Sequence, residues 1–405
     1  MRPSKIIDSS DINTPLTVAR LQKHMGNRKT NLTGIDPMLN VGVVGCGNIN
    51  PVYMENISEN FSDVINIIAC SDLSMERAQA TADKFNIPKV LDFQQLLKDS
   101  EIELILNLTN PTSHASVNLE ILDAGKHVYS EKPLAIEMEH GQQIIDKSIA
   151  NNLMVGCAPD TVLSEEIQTC RRIIDNGMIG KPVSATAFFG SHGVERWHPN
   201  PEFYYKHGGG PMFDIGPYYL TTLINLIGPV KRVTGSHIKT FPQRGMKDKK
   251  IDVEVSTHVV GILDFVSGAI GNITTSFDIW GPTHDIREHA KKSIEIFGTE
   301  GTLTVPDPVH LGGKLNLLSM GKNKEMEWQE VPLQSGQSSE VRGIGLIEMA
   351  WAIRNQRPCR ANGNIANHVL EIMHAVHTSS DNGKHVELKT TCEKPPSITK
   401  AFFEI

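Results

Sequence analysis

Apolar positions along the chain fall into two textures. Leu39–Gly45 (LNVGVVG), Val64–Cys70, Ile102–Leu108, Lys126–Ser130 and Leu153–Cys157 are short apolar runs with little alternation. Such runs predict strands of a parallel sheet covered on both faces. Helix-like stretches separate them. Ser74–Phe85 is rich in helix formers and opens on a capping serine. Ser113–Ala124 stops at Gly125, and Ile136–Asn151 continues the alternation. Strand–helix alternation over about 120 residues predicts a doubly wound α/β domain.

After Pro159 the texture changes. Val183–Gly190, Val230–Thr240, Val253–Phe265, Ala269–Phe277, Ser293–Phe297 and Thr302–Val305 alternate or are rich in β formers. They predict a mostly antiparallel sheet with one open face. Leu163–Asn176, Ile344–Asn355 and Ile365–Ser379 read as helices. Residues 1–37 are polar and show no sustained period, which predicts a peripheral or flexible arm.

Composition narrows the class. The 405 residues include 39 Lys+Arg and 46 Asp+Glu, a formal net charge of −7. That balance argues against a general nucleic-acid binder. No apolar run approaches the roughly 20 residues that cross a bilayer. The N-terminus has no apolar core behind Lys5, so no secretory signal is read. The six cysteines are scattered with no Cys-x-x-Cys pair. That spacing points to reduced thiols and a cytoplasmic protein rather than a disulfide framework or a zinc site.

The first strand runs into Gly45-Cys46-Gly47-Asn48-Ile49-Asn50, followed by Pro51. The first glycine permits a tight turn, and the second lets the backbone approach a pyrophosphate at a helix N-terminus. Asn50 replaces the third glycine and suits an N-cap, with Pro51 at the first helical position. Asp72 closes the second strand, 27 residues after Gly45. A carboxylate there accepts from ribose hydroxyls and repels a 2′-phosphate, so NAD is preferred over NADP. Arg77 lies close enough to leave NADP open.

Two further segments identify a family. Gly125-Lys126-His127-Val128-Tyr129-Ser130-Glu131-Lys132-Pro133-Leu134-Ala135 resembles the Glu-Lys-Pro signature of the Gfo/Idh/MocA oxidoreductases. Gly208-Gly209-Gly210-Pro211-Met212-Phe213-Asp214-Ile215-Gly216 resembles their glycine-rich lead to a catalytic Asp. Asn107-Leu108-Thr109-Asn110-Pro111, followed by His114, resembles the fourth-strand loop beside the nicotinamide. Gly298-Thr299-Glu300-Gly301 looks like a turn of the C-terminal sheet. The resemblance covers about residues 39–392.

The resemblance implies a Rossmann domain at 38–158 and a substrate-binding and oligomerisation domain at 159–405. The second would be an α/β domain with an open, mostly antiparallel sheet, its late helices free to pack back on the Rossmann domain. It implies Gly45, Gly47, Asn48, Ile49, Asp72, Asn107, Thr109, Asn110, Pro111, His114, Glu131 and Lys132 at the cofactor. It implies Lys132, Asp214 and Tyr218 at the chemistry. Tyr218 stands where inositol-dehydrogenase-like relatives have a histidine. The general base is therefore left between Lys132, with Tyr218 orienting the substrate, and a histidine such as His192, His198 or His207.

Ser191–His207 is polar and aromatic. Trp197, Tyr204 and Tyr205 are candidates to stack on a sugar, with His198 and Glu195 bonding its hydroxyls. Pro159 and Asp160 stand where relatives often present another polar substrate contact, so here that contact is either absent or supplied by Asp160. The histidines at 368, 374 and 377, and His284, Asp285 and His289, read as ordinary residues, so no metal is expected. The expected protein is an NAD-dependent oxidoreductase acting on a secondary alcohol of a sugar, sugar derivative or cyclitol, assembled as a homodimer or homotetramer. Alternatives are a glycosidase that retains NAD for redox-assisted elimination, and a non-catalytic NAD- or sugar-binding regulator.

Overall fold

The computed structural model describes residues 39–246, 249–280, 293–311, 314–321, 325–333 and 342–398. The arm at 1–37 and His284, Asp285 and His289 lie outside the described residues. The described residues form two compact units. One comprises 39–163 and 342–370, the other 164–333 and 371–398.

The first unit is built on β1 (Leu39–Val44), β2 (Ile65–Ser71), β3 (Lys89–Val90), β4 (Leu104–Asn107), β5 (His127–Ser130) and β6 (Val155–Cys157). Their order is β3-β2-β1-β4-β5-β6, and every pair is parallel. The apolar runs fill the middle of this sheet. Leu104, Ile105 and Leu106 are all fully buried, which requires cover on both faces. The helices between strands are α1 (Asn50–Asn60), α2 (Met75–Phe85), α3 (Phe93–Lys98), α4 (Pro111–Asp123) and α5 (Met138–Ala150). Ser74 caps α2 by accepting from the Arg77 amide. Asp92 and Gln95 close a capping box on α3.

The second unit contains α6 (Glu165–Asp175), β7 (Pro182–Gly190), α7 (Pro211–Asp214) and α8 (Gly216–Ile227). There follow β8 (Val230–Ile238), the hairpin of β9 (Gln243–Met246) and β10 (Lys249–Asp252), β11 (His258–Phe265) and β12 (Ile270–Ser276). The remaining strands are β13 (Ile294–Gly298), β14 (Thr302–Val305), β15 (Leu315–Met320), β16 (Met326–Val331) and, after the helices α9 (Ile344–Arg354) and α10 (Gly363–Asn382), β17 (Val386–Glu387). Nine strands make one sheet in the order β16-β15-β14-β13-β7-β12-β11-β8-β17. Only β12 and β7 pair in parallel.

On β11, Val259, Leu263 and Phe265 are buried while Ile262 on the opposite face is 48% exposed. Gly235 lets α10 approach the covered face, because a β-carbon there would lie 2.0 Å from the Val376 carbonyl oxygen. The other face exposes Phe188, Ile262, Ile270, Met320 and Trp328.

Three expectations are corrected. Val253–Phe265 is not one strand: the chain closes the β9–β10 hairpin at Asp252 and re-enters the sheet at His258. Val253 instead donates its amide to the Pro242 carbonyl, and Val253 and Thr257 point inward. Asn50 is not an N-cap but the first helical residue, with Ile49 at the cap. Finally, α8 was not read from the sequence. All of its residues are buried, so it has no solvent-facing polar side to mark it.

Candidate functional site

In the first unit, the strand ends bring the nucleotide motifs together. Gly45 leaves β1 with φ +99, and a β-carbon there would sit 2.6 Å from the carbonyl carbon and oxygen of Leu108. Only glycine permits this left-handed turn against the loop after β4. A β-carbon on Gly47 would meet nothing within 4 Å, so the backbone stands clear on that side. Helix α1 begins just beyond, with no side-chain cap on its free amides. The Asn50 amide group donates back to the Gly45 carbonyl at 3.1 Å, bracing the turn where a third glycine is missing.

Asp72 ties the same region together. One carboxylate oxygen accepts from the Cys46 amide at 2.8 Å. The other accepts from the Ser74 amide at 2.8 Å and from the Arg77 guanidinium at 2.8 and 3.2 Å. Burial raises the Asp72 pKa, but these amides and Arg77 outweigh it and hold the carboxyl below its usual range. The residues therefore fit a dinucleotide. They offer an open glycine backbone, an uncapped helix start and a charged carboxylate at the second strand end.

The loops after β4 and β5 lie beside this cradle. Asn107 is fully buried and accepts from the Thr109 amide and hydroxyl at 3.1 and 2.6 Å. Asn110 is the N-cap of α4, with Pro111 as its first residue. The Glu131 amide donates to the Asn107 carbonyl at 2.9 Å. The Glu131 carboxylate accepts from Tyr53 at 2.7 Å and from the Lys132 amide at 2.9 Å. The Lys132–Pro133 peptide is cis.

Two first-unit expectations change. His114 was expected at the cofactor, but it is 1% exposed and main-chain carbonyls occupy both of its nitrogens. Asp160 was a candidate substrate contact, but it is fully buried. It caps α9 by accepting from the Gly343 and Gly345 amides at 2.8 and 3.2 Å. Burial pushes its carboxyl up to about 6.

In the second unit, the glycine run is dictated by close packing. A β-carbon on Gly209 would lie 2.6 Å from the Phe203 and Tyr204 carbonyl oxygens, and Gly210 has φ +88. The run delivers Asp214 to the end of α7 and Tyr218 to the first turn of α8, where Tyr218 is 4% exposed. Trp197 is 67% exposed. His198 packs edge-on against Trp197, Phe203 and Tyr204 and accepts the Asn200 amide on Nδ1 at 3.0 Å.

Tyr205 and Glu195 differ from expectation. Tyr205 is fully buried, with no ring face left for a sugar, and its hydroxyl donates to Glu195. Glu195 is itself paired with Arg244 at 3.0 Å. Arg244 also reaches Asp278 at 2.9 Å and the Phe277 carbonyl at 2.6 Å. Sequence reading missed Arg244, Asp278 and Trp280, whose partners are distant in the chain. Trp280 stacks on His192 at 3.6 Å and lies under Arg196 at 5.1 Å.

Among the described residues, no group of three or more His, Cys, Asp or Glu is arranged to hold a metal. No described helix is long and apolar enough to cross a membrane.

Comparisons with known proteins agree with this geometry. Residues 39–158 match the family model for the oxidoreductase family with an NAD-binding Rossmann fold. Residues 167–304 match the GFO/IDH/MocA C-terminal domain. Myo-inositol 2-dehydrogenase of Thermotoga maritima is 24% identical over 271 residues, 65% of this chain and 74% of that protein. Trans-1,2-dihydrobenzene-1,2-diol dehydrogenase of Bos taurus is 22% identical over 326 residues, 80% of this chain and 88% of that protein. The fold is shared with an NAD-binding oxidoreductase from Klebsiella pneumoniae, at a TM-score of 0.77 and 21% identity, over 86% of this chain and 99% of that one. It is also shared with levoglucosan dehydrogenase in complex with NADH and levoglucosan, at 0.74 and 19%, over 87% of this chain and 100% of that one. The chain is therefore an NAD-binding member of the GFO/IDH/MocA family of oxidoreductases.

Proposed function

We propose that the protein moves hydride between NAD and a secondary alcohol of a sugar, sugar derivative or cyclitol. The observation that carries this reading is the braced Glu131-Lys132-Pro133 loop, tied by the Glu131 amide to the end of β4 beside the glycine turn. Relatives named for inositol and 1,5-anhydro-D-fructose support the substrate class.

NAD, when bound, supplies the hydride acceptor. Gly45, Gly47 and the start of α1 would hold its pyrophosphate, and Asp72 its adenosine ribose. Lys132 holds the reacting oxygen and exchanges its proton as the alcohol is oxidised. Asp214 and Tyr218 orient the substrate. Trp197 offers an apolar ring face to the sugar, and His198 a hydroxyl contact through Nε2, since Nδ1 already accepts the Asn200 amide.

The test is a panel of cyclitols, pyranoses and anhydrosugars with added NAD, followed by nicotinamide absorbance. Turnover of at least one is expected. A panel with no turnover by a protein that binds NAD would overturn the reading.

Asp72→Ala is expected to weaken NAD binding by about tenfold, the loss of a charge-assisted hydrogen bond. Calorimetric titration with NAD checks it. Equal affinity would remove Asp72 from the ribose site.

The apolar open face of the second sheet supports self-association through that face. Ile262→Glu is expected to convert a dimer or tetramer to smaller species in light scattering. An unchanged mass would place the interface elsewhere.

A further inference from the structure

His114 stands in the second turn of α4, and its ring spans two loops. Nδ1 lies 2.7 Å from the Pro133 carbonyl oxygen, and Nε2 lies 2.9 Å from that of Thr109. Thr109 belongs to the loop leaving β4, Pro133 to the loop leaving β5. Weaker ties run parallel. Asn107 donates to Asn118 at 2.8 Å, and Asn118 donates to the Leu134 carbonyl at 3.5 Å.

The topology says what these loops face. In an open sheet ordered β3-β2-β1-β4-β5-β6, a dinucleotide crosses the carboxyl ends of the strands where the order reverses, between β1 and β4. Asp72, at the end of β2, marks the adenosine side. The nicotinamide end therefore falls toward β4 and β5, over the two loops that His114 joins.

We propose that His114 is a positioning residue that locks the loop after β4 to the loop after β5, so that the nicotinamide site and the Lys132 backbone form one rigid piece. This rests on the first unit being the NAD site. Both neighbours are acceptors, so the neutral ring donates to only one of them. With the proton on Nδ1 it bonds the Pro133 carbonyl and ties the start of α4 to the loop after β5, while its other edge packs against the Thr109 carbonyl. An aliphatic side chain of similar volume fills the space but joins nothing. A rigid pair of loops is already in its bound shape, so ligand binding has less to order.

The test needs no substrate. NADH and ADP-ribose are titrated into the wild-type protein, His114→Leu, His114→Asn and His114→Gln. ADP-ribose lacks the nicotinamide and reports the adenosine and pyrophosphate half alone. His114→Leu is expected to bind NADH about tenfold more weakly and ADP-ribose as before. His114→Gln, which keeps a donor for the Pro133 carbonyl, is expected to recover part of the loss. If His114→Leu does not fold, His114→Asn decides by the same ratio, since its amide is too short to reach the Pro133 carbonyl. Unchanged NADH affinity overturns the proposal, and so does an equal loss for both ligands, which would make His114 ordinary packing. A wild-type protein that binds neither ligand instead overturns the NAD reading beneath it.

Discussion

Lys132→Ala is expected to lower turnover by about 10³-fold, within the range of losing a positioned acid–base group. NAD affinity and thermal stability should stay close to wild type. The separation follows from how the loop is held. The Lys132 amide is bonded to Glu131 at 2.9 Å, and the neighbouring Pro133 carbonyl to His114 at 2.7 Å. Both ties use backbone atoms, which alanine keeps. Only the amine is removed.

Lys132→Arg refines the test. Arginine keeps the charge and the donors but does not give up its proton. If the lysine acts by proton transfer, arginine stays as slow as alanine. If it acts as a donor to the substrate oxygen, arginine recovers part of the rate. Turnover of Lys132→Ala within a few-fold of wild type would remove Lys132 from the chemistry.

The second large effect is structural. Arg244→Ala is expected to destabilise the second unit by about 3–5 kcal/mol, the usual cost of breaking a buried ion pair. Glu195 and Asp278 would be left buried without their cation, their side chains 8% and 7% exposed. Tyr205 would lose the braced partner of its hydroxyl. Glu195 and Tyr205 belong to Ser191–His207, so the loss should also disorder Trp197 and His198. Scanning calorimetry reads the stability, and Trp fluorescence reads the loop. Arg244→Lys should fall between, because an ammonium cannot reach Glu195, Asp278 and the Phe277 carbonyl together. A change below about 1 kcal/mol would mean the cluster is solvated.

These two sites differ in how far the sequence exposes them. The cofactor cradle is legible because its causes are local: an apolar run, a glycine that must turn left-handed, and a carboxylate at the next strand end. The Glu131-Lys132-Pro133 loop is legible because its residues form an unbroken signature. Arg244 is not, since its partners lie 49 and 34 residues away and no local pattern links them. His114 and Asp160 mislead for a related reason. Each is a polar residue near a motif, and polarity alone does not separate a ligand contact from an internal brace. Only burial and both ends of each hydrogen bond do so.

All six cysteines are free and buried, the most exposed being Cys46 and Cys392 at 8%. Burial also pushes Cys392 up to about 12 and Cys157 well above the ordinary thiol value. Thiolate is the species that reacts, so the other five sites should consume thiol reagent slowly, while Cys46, whose thiol the Cys70 side chain pulls below its ordinary value, reacts first. Reagent uptake then times local opening, and mass spectrometry of the alkylated peptides would rank the two units by how often each opens. A cysteine placed on an exposed loop would stand out against the other five sites, giving a single point for attaching a fluorophore once Cys46 alone is replaced.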